Sequence, residues 1–156
     1  MKAERENVVA TAPNSDRHSP LQDVAIEDIQ VTSGFDMERI HPLSGEVIPH
    51  PGFDAAAKSG HVVTAMESGV VKEIRHFEGL GQSQIKVENS RGACFYIHVD
   101  AVVEEGQNVE RGEAIATVSA TTQAARSAKL STGDHLDARC RDREGSWIDI
   151  QKEMGL

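Results

Sequence analysis

His50-Pro51-Gly52-Phe53-Asp54 sets an imidazole and a carboxylate four residues apart. The proline and glycine between them disfavour a regular helix and allow a turn, so both side chains can converge on one cation. Far along the chain, His135-Leu136-Asp137 offers a second such pair. Side chains of a strand alternate with a period of two, so His135 and Asp137 share one face as a second set of polar ligands. The same parity places Cys94, Tyr96 and His98 on one face of a third segment and leaves Phe95, Ile97 and Val99 as an apolar side suited to a core. His98 is thus expected to face outward, toward a groove. Imidazole nitrogen and carboxylate oxygen both ligate Zn²⁺ at about 2.0–2.2 Å, so the chemistry on offer is that of a divalent-metal site. A Cys94–His98 nucleophile pair is excluded, because four residues of extended strand hold the two about 13 Å apart.

Positioning these groups falls to short β-branched pieces punctuated by glycine. Strands are predicted over 61–65, 69–74, 84–88, 93–99, 113–119 and 133–141, which indicates an all-β domain. Gly106 and Gly112 flank Val109 at a six-residue spacing and read as a β-corner that reverses twice and feeds an apolar strand. Residues 120–132, ATTQAARSAKLST, read as a surface loop that can wall a groove beside the His/Asp strand. Ser19-Pro20-Leu21-Gln22 carries cap, proline and glutamine signals for a short helix over 20–28. Residues 1–28 are accordingly read as an N-terminal arm, partly disordered or short helix, and 29–156 as the domain.

Composition narrows the function. Sixteen basic against 25 acidic residues leave a net charge of −9, and no run of Lys or Arg supplies the basic face that nucleic acid needs. No apolar stretch reaches the roughly 18 residues needed to cross a bilayer, and the N-terminus lacks the apolar centre of a secretory signal. No membrane partner is expected. The two cysteines, Cys94 and Cys140, read as free thiols, too few and too unpatterned for a disulfide scaffold. His18, His61 and His76 read as solvated surface residues, His41 beside Pro42 as either a groove wall or a structural turn, and Trp147 as core closing the end of the sheet.

The series SGFDMERIHPLSG (33–45), HPGFD (50–54), VVTAMESGVV (62–71), FYIHV (95–99), EEGQNVERGEAIA (104–116) and GDHLD (133–137) resembles the M23 zinc metallopeptidases, the lysostaphin/LytM-type peptidoglycan endopeptidases. The likeness covers about residues 33–150 and keeps the family's order of motifs. It implies a mainly β fold, a LytM-like antiparallel sheet or sandwich with glycine corners, loops walling a groove and few or no long helices. It also implies one Zn²⁺, or another divalent ion, held by His50, Asp54 and Asp137, with His98 and His135 as catalytic residues. Arg39, His41 and Tyr96 would line the groove and touch substrate. Asp137 stands where the family's His-x-His pair has its second histidine. A second carboxylate leaves the metal less net positive charge and weakens its activation of water.

The resemblance implies a peptidoglycan endopeptidase that cuts amide bonds of cell-wall peptide crosslinks with metal-activated water. The alternative is a catalytically impaired M23-like module that binds peptidoglycan or activates another wall hydrolase. A biotinyl or lipoyl carrier is excluded, because the Ala65-Met66-Glu67 stretch lacks the lysine such a carrier needs. Action in the periplasm or at the cell wall without a visible signal peptide calls for delivery by phage or a specialised secretion machine, or for a trimmed precursor. The secretion route would also call for an immunity or inhibitor protein that plugs the groove.

Overall fold

The computed structural model of the chain describes residues 16–41, 43–77, 82–120 and 133–156. The β-branched runs form strands as expected: β3 (Val62–Thr64), β4 (Gly69–Phe77), β5 (Gln82–Asn89), β6 (Gly92–Ala101), β8 (Ala114–Val118) and β9 (His135–Asp142). Four further strands were not foreseen: β1 (Val31–Ser33), β2 (Gly52–Ala56), β7 (Asn108–Val109) and β10 (Trp147–Ile148). All described pairings are antiparallel, in the order β1-β2-β9-β6-β5-β4-β7, with β10 on β9 and β8 joining β6 to β3. The expected mainly β, antiparallel architecture is therefore the one found. Its single described α-helix, α1 (Ile150–Glu153), is capped by Asp149, whose carboxylate accepts the Lys152 N–H at 3.0 Å.

Alternation gives the central strands two unlike faces. Phe53 and Ala55 of β2, Leu136, Ala138 and Cys140 of β9, Cys94 and Tyr96 of β6, and Ile85 and Val87 of β5 point into one buried cluster, completed by Leu21, Val63, Ile115, Ile150 and Met154. The opposite face carries Asp54, Asp137, Arg139, Arg141, Phe95 and Ile97. The glycine corner forms as expected: Gly106 (φ +89°) and Gly112 (φ +88°) sit in left-handed backbone on either side of β7, where a side chain would be strained.

Three expectations are corrected. The helix over 20–28 is not formed: Ser19 Oγ accepts the Leu21 N–H at 3.2 Å, a local turn that competes with helix nucleation, and only a 3₁₀ turn follows at Ile26–Asp28. Nor is the segment before residue 29 wholly an arm. Leu21 is core, and Arg17, 3% exposed, donates to Glu67 at 2.8 Å and to Glu153. Residues 1–15 and 121–132, which hold the rest of the expected arm and nearly all of the expected loop, lie outside the described residues. The cysteines are not free: Cys94 and Cys140 are register partners on β6 and β9, with Cα atoms 4.0 Å apart, and form a disulfide.

Candidate active site

Strand register builds the site. Asp54 lies directly opposite Asp137 across β2 and β9, and Ile97 opposite Asp137 across β6 and β9. His50 precedes β2 and is pinned by a two-way backbone bridge to Asp36, with N···O distances of 2.8 and 2.9 Å. The turn expected between His50 and Asp54 is thus the beginning of a strand, and Gly52 is what lets that strand close up. A Cβ there would stand 2.2 Å from the Ala138 carbonyl oxygen, well inside contact distance.

His98 reaches the same face by a different route from the one expected. In the β5–β6 ladder Gln84 pairs with Ile97 and Ser83 with Val99, so His98 is an extra residue, at φ +70°. This bulge resets the alternation. Cys94, Tyr96 and Val99 face the core, while the His98 ring packs edge-on against His135 with centroids 4.6 Å apart. A non-glycine residue held in left-handed backbone costs about 1–3 kcal/mol, which the surrounding ladder must sustain.

The hydrogen bonds orient the imidazoles alike. Nδ1 of His50 donates to the Gly34 carbonyl at 2.8 Å, Nδ1 of His135 to the Gly133 carbonyl at 2.8 Å, and Nδ1 of His98 to the Gln82 side-chain oxygen at 3.0 Å. In the neutral ring this leaves Nε2 as the free lone pair. His50 Nε2 lies 3.1 Å from Asp54 Oδ1 and 3.6 Å from Asp137 Oδ2, and His135 Nε2 lies 3.8 Å from Asp54 Oδ2. His50, Asp54 and Asp137 thus offer one nitrogen and two oxygen donors, all within 4.8 Å of one another.

Without a metal, the bonds to Asp137 and then Asp54 outweigh burial and lift the His50 imidazole from 6.5 to about 10. Two facing carboxylates demand a positive charge between them. Burial works against ionisation of Asp137, yet its bonds to His50 and Arg139 prevail and hold the carboxyl at about 2. His98 moves the other way, pushed below its ordinary value first by burial and then by the nearby His135, so that it is neutral at pH 7.

Sequence reasoning missed Arg139. Its Nε donates to Asp137 Oδ1 at 3.1 Å and its Nη2 to Oδ2 at 2.5 Å, a bidentate clamp. The signal was available, since 135, 137, 139 and 141 lie on one strand face by the parity that paired His135 with Asp137. The guanidinium offsets the second carboxylate, so a cation here would meet a net charge of about one acid rather than two.

Of the three residues expected to touch substrate, one is buried and the other two lie toward the surface. Tyr96 is fully buried in the core, where its hydroxyl accepts the Met66 N–H at 2.8 Å; the bulge at 98 separates it from the site face, and its expected role is corrected to a structural one. His41 Nδ1 accepts from the backbone N–H of Leu43 and Ser44 at 3.1 and 3.2 Å and so supports the turn that follows it. Arg39 is exposed and donates to Ser33 Oγ at 3.3 Å. Trp147, read as core, stands half-buried on the site face beside Phe95.

Residues 48–150 match the sequence profile of peptidase family M23. The chain belongs to that family. This M23 chain is 37% identical over 108 residues to the peptidoglycan DD-endopeptidase ShyB of Vibrio cholerae, covering 69% of itself and 24% of ShyB. It is similar to a zinc-containing peptidase from Vibrio cholerae, with 30% identity, a TM-score of 0.71 and coverage of 89% and 39% of the two chains. It shares the fold of lysostaphin at 22% identity, with a TM-score of 0.66 and coverage of 91% and 56%. The M23 chain thus spans about a quarter of the length of the curated relatives it matches.

The donor set fits a zinc ion: a fixed imidazole lone pair, two carboxylates and a guanidinium that orients one of them match what such a cation takes in its inner and outer shells.

Proposed function

We propose that this M23 domain hydrolyses amide bonds of peptidoglycan peptide crosslinks at the face built from His50, Asp54, Asp137, His98 and His135. The observation that carries the reading is the meeting of a three-donor set with two packed imidazoles on one sheet face. His50, Asp54 and Asp137 would hold a zinc ion, which when bound polarises a carbonyl and activates water. His98, kept neutral, has the free lone pair needed to accept a proton, and His135 beside it returns one to the departing amine or hydrogen-bonds the developing oxyanion. Arg139 keeps Asp137 turned toward His50. Peptidoglycan as substrate is supported by the likeness to ShyB, a peptidoglycan DD-endopeptidase. A disulfide between neighbouring strands suits an oxidising compartment, which supports action in the periplasm or at the wall.

The test is metal analysis together with digestion of purified peptidoglycan. The wild-type domain should carry one divalent ion per chain and release new amino groups, with release abolished by chelation and restored by Zn²⁺. Asp137→Ala should lose both metal and activity; Asp137→His should keep metal. Absence of metal and of release across several wall chemistries would refute the hydrolase and leave the impaired module, whose wall binding would survive chelation and His135→Ala.

A further inference from the structure

Beyond Arg139, the site face of β9 continues to Arg141. This guanidinium lies over the Phe95 ring, 5.0 Å from its centroid, and over the Trp147 ring at 5.8 Å, and the two rings are 5.6 Å apart and tilted by 59°. Lys86, on β5, lies 5.9 Å over the same Phe95. The patch is cationic on a chain of net charge −9. Arg139 is committed to Asp137, and Lys86 to Glu88 at 3.8 Å, but among the described residues no carboxylate lies within ion-pair range of Arg141. Beside it opens a hollow of about 620 Å³ lined by Gly92, Ala93, Asp142 and Arg143, with Glu88 and Glu144 as its other charged walls.

A guanidinium held over aromatic rings is oriented and partly desolvated by them while it keeps its charge, the condition in which its planar fork binds a carboxylate bidentately. Four residues of strand separate Arg141 from Asp137, roughly 13 Å, the span of about four residues of an extended peptide laid along the sheet. We infer that Arg141, held over Phe95 and Trp147, forms a second substrate subsite that takes a free carboxylate of the wall peptide about four residues from the bond to be cut. This rests on the reading of the first site as a peptidase, and it makes the sheet face a continuous track from the hydrolytic end to an anion-binding end.

Trp147 is the one tryptophan of the chain and reports on the subsite directly. Metal-depleted protein is titrated with an extended peptide ending in a free carboxylate and with its C-terminal carboxamide, following Trp147 fluorescence. The wild type should show a saturable change with at least tenfold preference for the carboxylate. In Arg141→Gln that preference should fall to about one, and in Arg141→Lys, which keeps charge but loses the planar fork, it should fall to an intermediate value. A carboxylate preference unchanged in both variants, or no preference in the wild type, overturns the subsite. Should either variant fold poorly by circular dichroism, the wild-type carboxylate-to-carboxamide ratio alone decides. The outcome is separable from peptidoglycan digestion: a wild type that binds with this preference but releases no amino groups refutes the hydrolase and leaves the subsite standing.

Discussion

Reducing the bond between Cys94 and Cys140 should be the most costly covalent change available to this domain. The two residues are 46 apart in sequence. In the chain-entropy account, closing a loop of that length removes about 13.5 cal/mol/K from the unfolded chain, or about 4 kcal/mol at 25 °C. Native strain and residual order in the unfolded state cut such values, so about 2–4 kcal/mol is expected for Cys94→Ala/Cys140→Ala. For a chain of this size each kcal/mol shifts the melting midpoint by about 2–4 °C, which gives a drop of about 4–16 °C. The assay is thermal unfolding by circular dichroism, for the wild type with and without a phosphine reductant and for the double variant. Reductant should lower the wild-type midpoint to near that of the variant and leave the variant unmoved. A midpoint equal within about 1 °C in all four samples would refute the reasoning, because it would mean that the sheet contacts of β6 and β9 alone already restrict the unfolded chain.

Gly52→Ala should disrupt the site more than its size suggests: its methyl meets the Ala138 carbonyl and the Arg139 Cβ, so β2 must move off β9, and metal content should fall together with a melting-midpoint loss. Arg17→Ala removes the cation facing the buried Glu67, leaving it the Asn89 amide at 3.0 Å, and should cost about 3 kcal/mol in urea unfolding, whereas the paired change Arg17→Met/Glu67→Leu should cost much less. In chelated protein the pH dependence of stability has a definite sign. The raised His50 value gives a contribution fully present below 6.5 and lost as pH climbs through about 10, while the depressed Asp137 value gives one present above 3.8 and lost as pH falls through about 2. The two shifts share one contact and count once. Urea midpoints across pH 4–11 for wild type and His50→Gln check this: the alkaline decline should flatten in the variant.

Much of this fold was legible because its strands obey simple alternation. The six expected strands, the glycine corner and the pairing of His135 with Asp137 follow from local pattern alone. What escaped is what depends on partners far along the chain. β1, β7 and β10 are two or three residues long and exist through their neighbours' hydrogen bonds. The disulfide depends on a register between β6 and β9 that no spacing reveals. Tyr96 was misplaced for a more instructive reason: period-two reasoning fails at a bulge, and His98 carries no glycine to announce one. Trp147 was assigned to the core from its apolarity, but its position on the outer ladder opposite Arg141 places it against guanidinium groups instead.

The direct opposition of Asp54 and Asp137 across two hydrogen-bonded strands carries a thermodynamic consequence. Like charges facing each other in a ladder destabilise the sheet, so the fold and whatever neutralises the pair are linked. A cation present at a hundredfold excess over its dissociation constant would add about 2.7 kcal/mol to the native state by mass action, which makes β2 and β9 a folding-coupled ligand sensor as well as a scaffold.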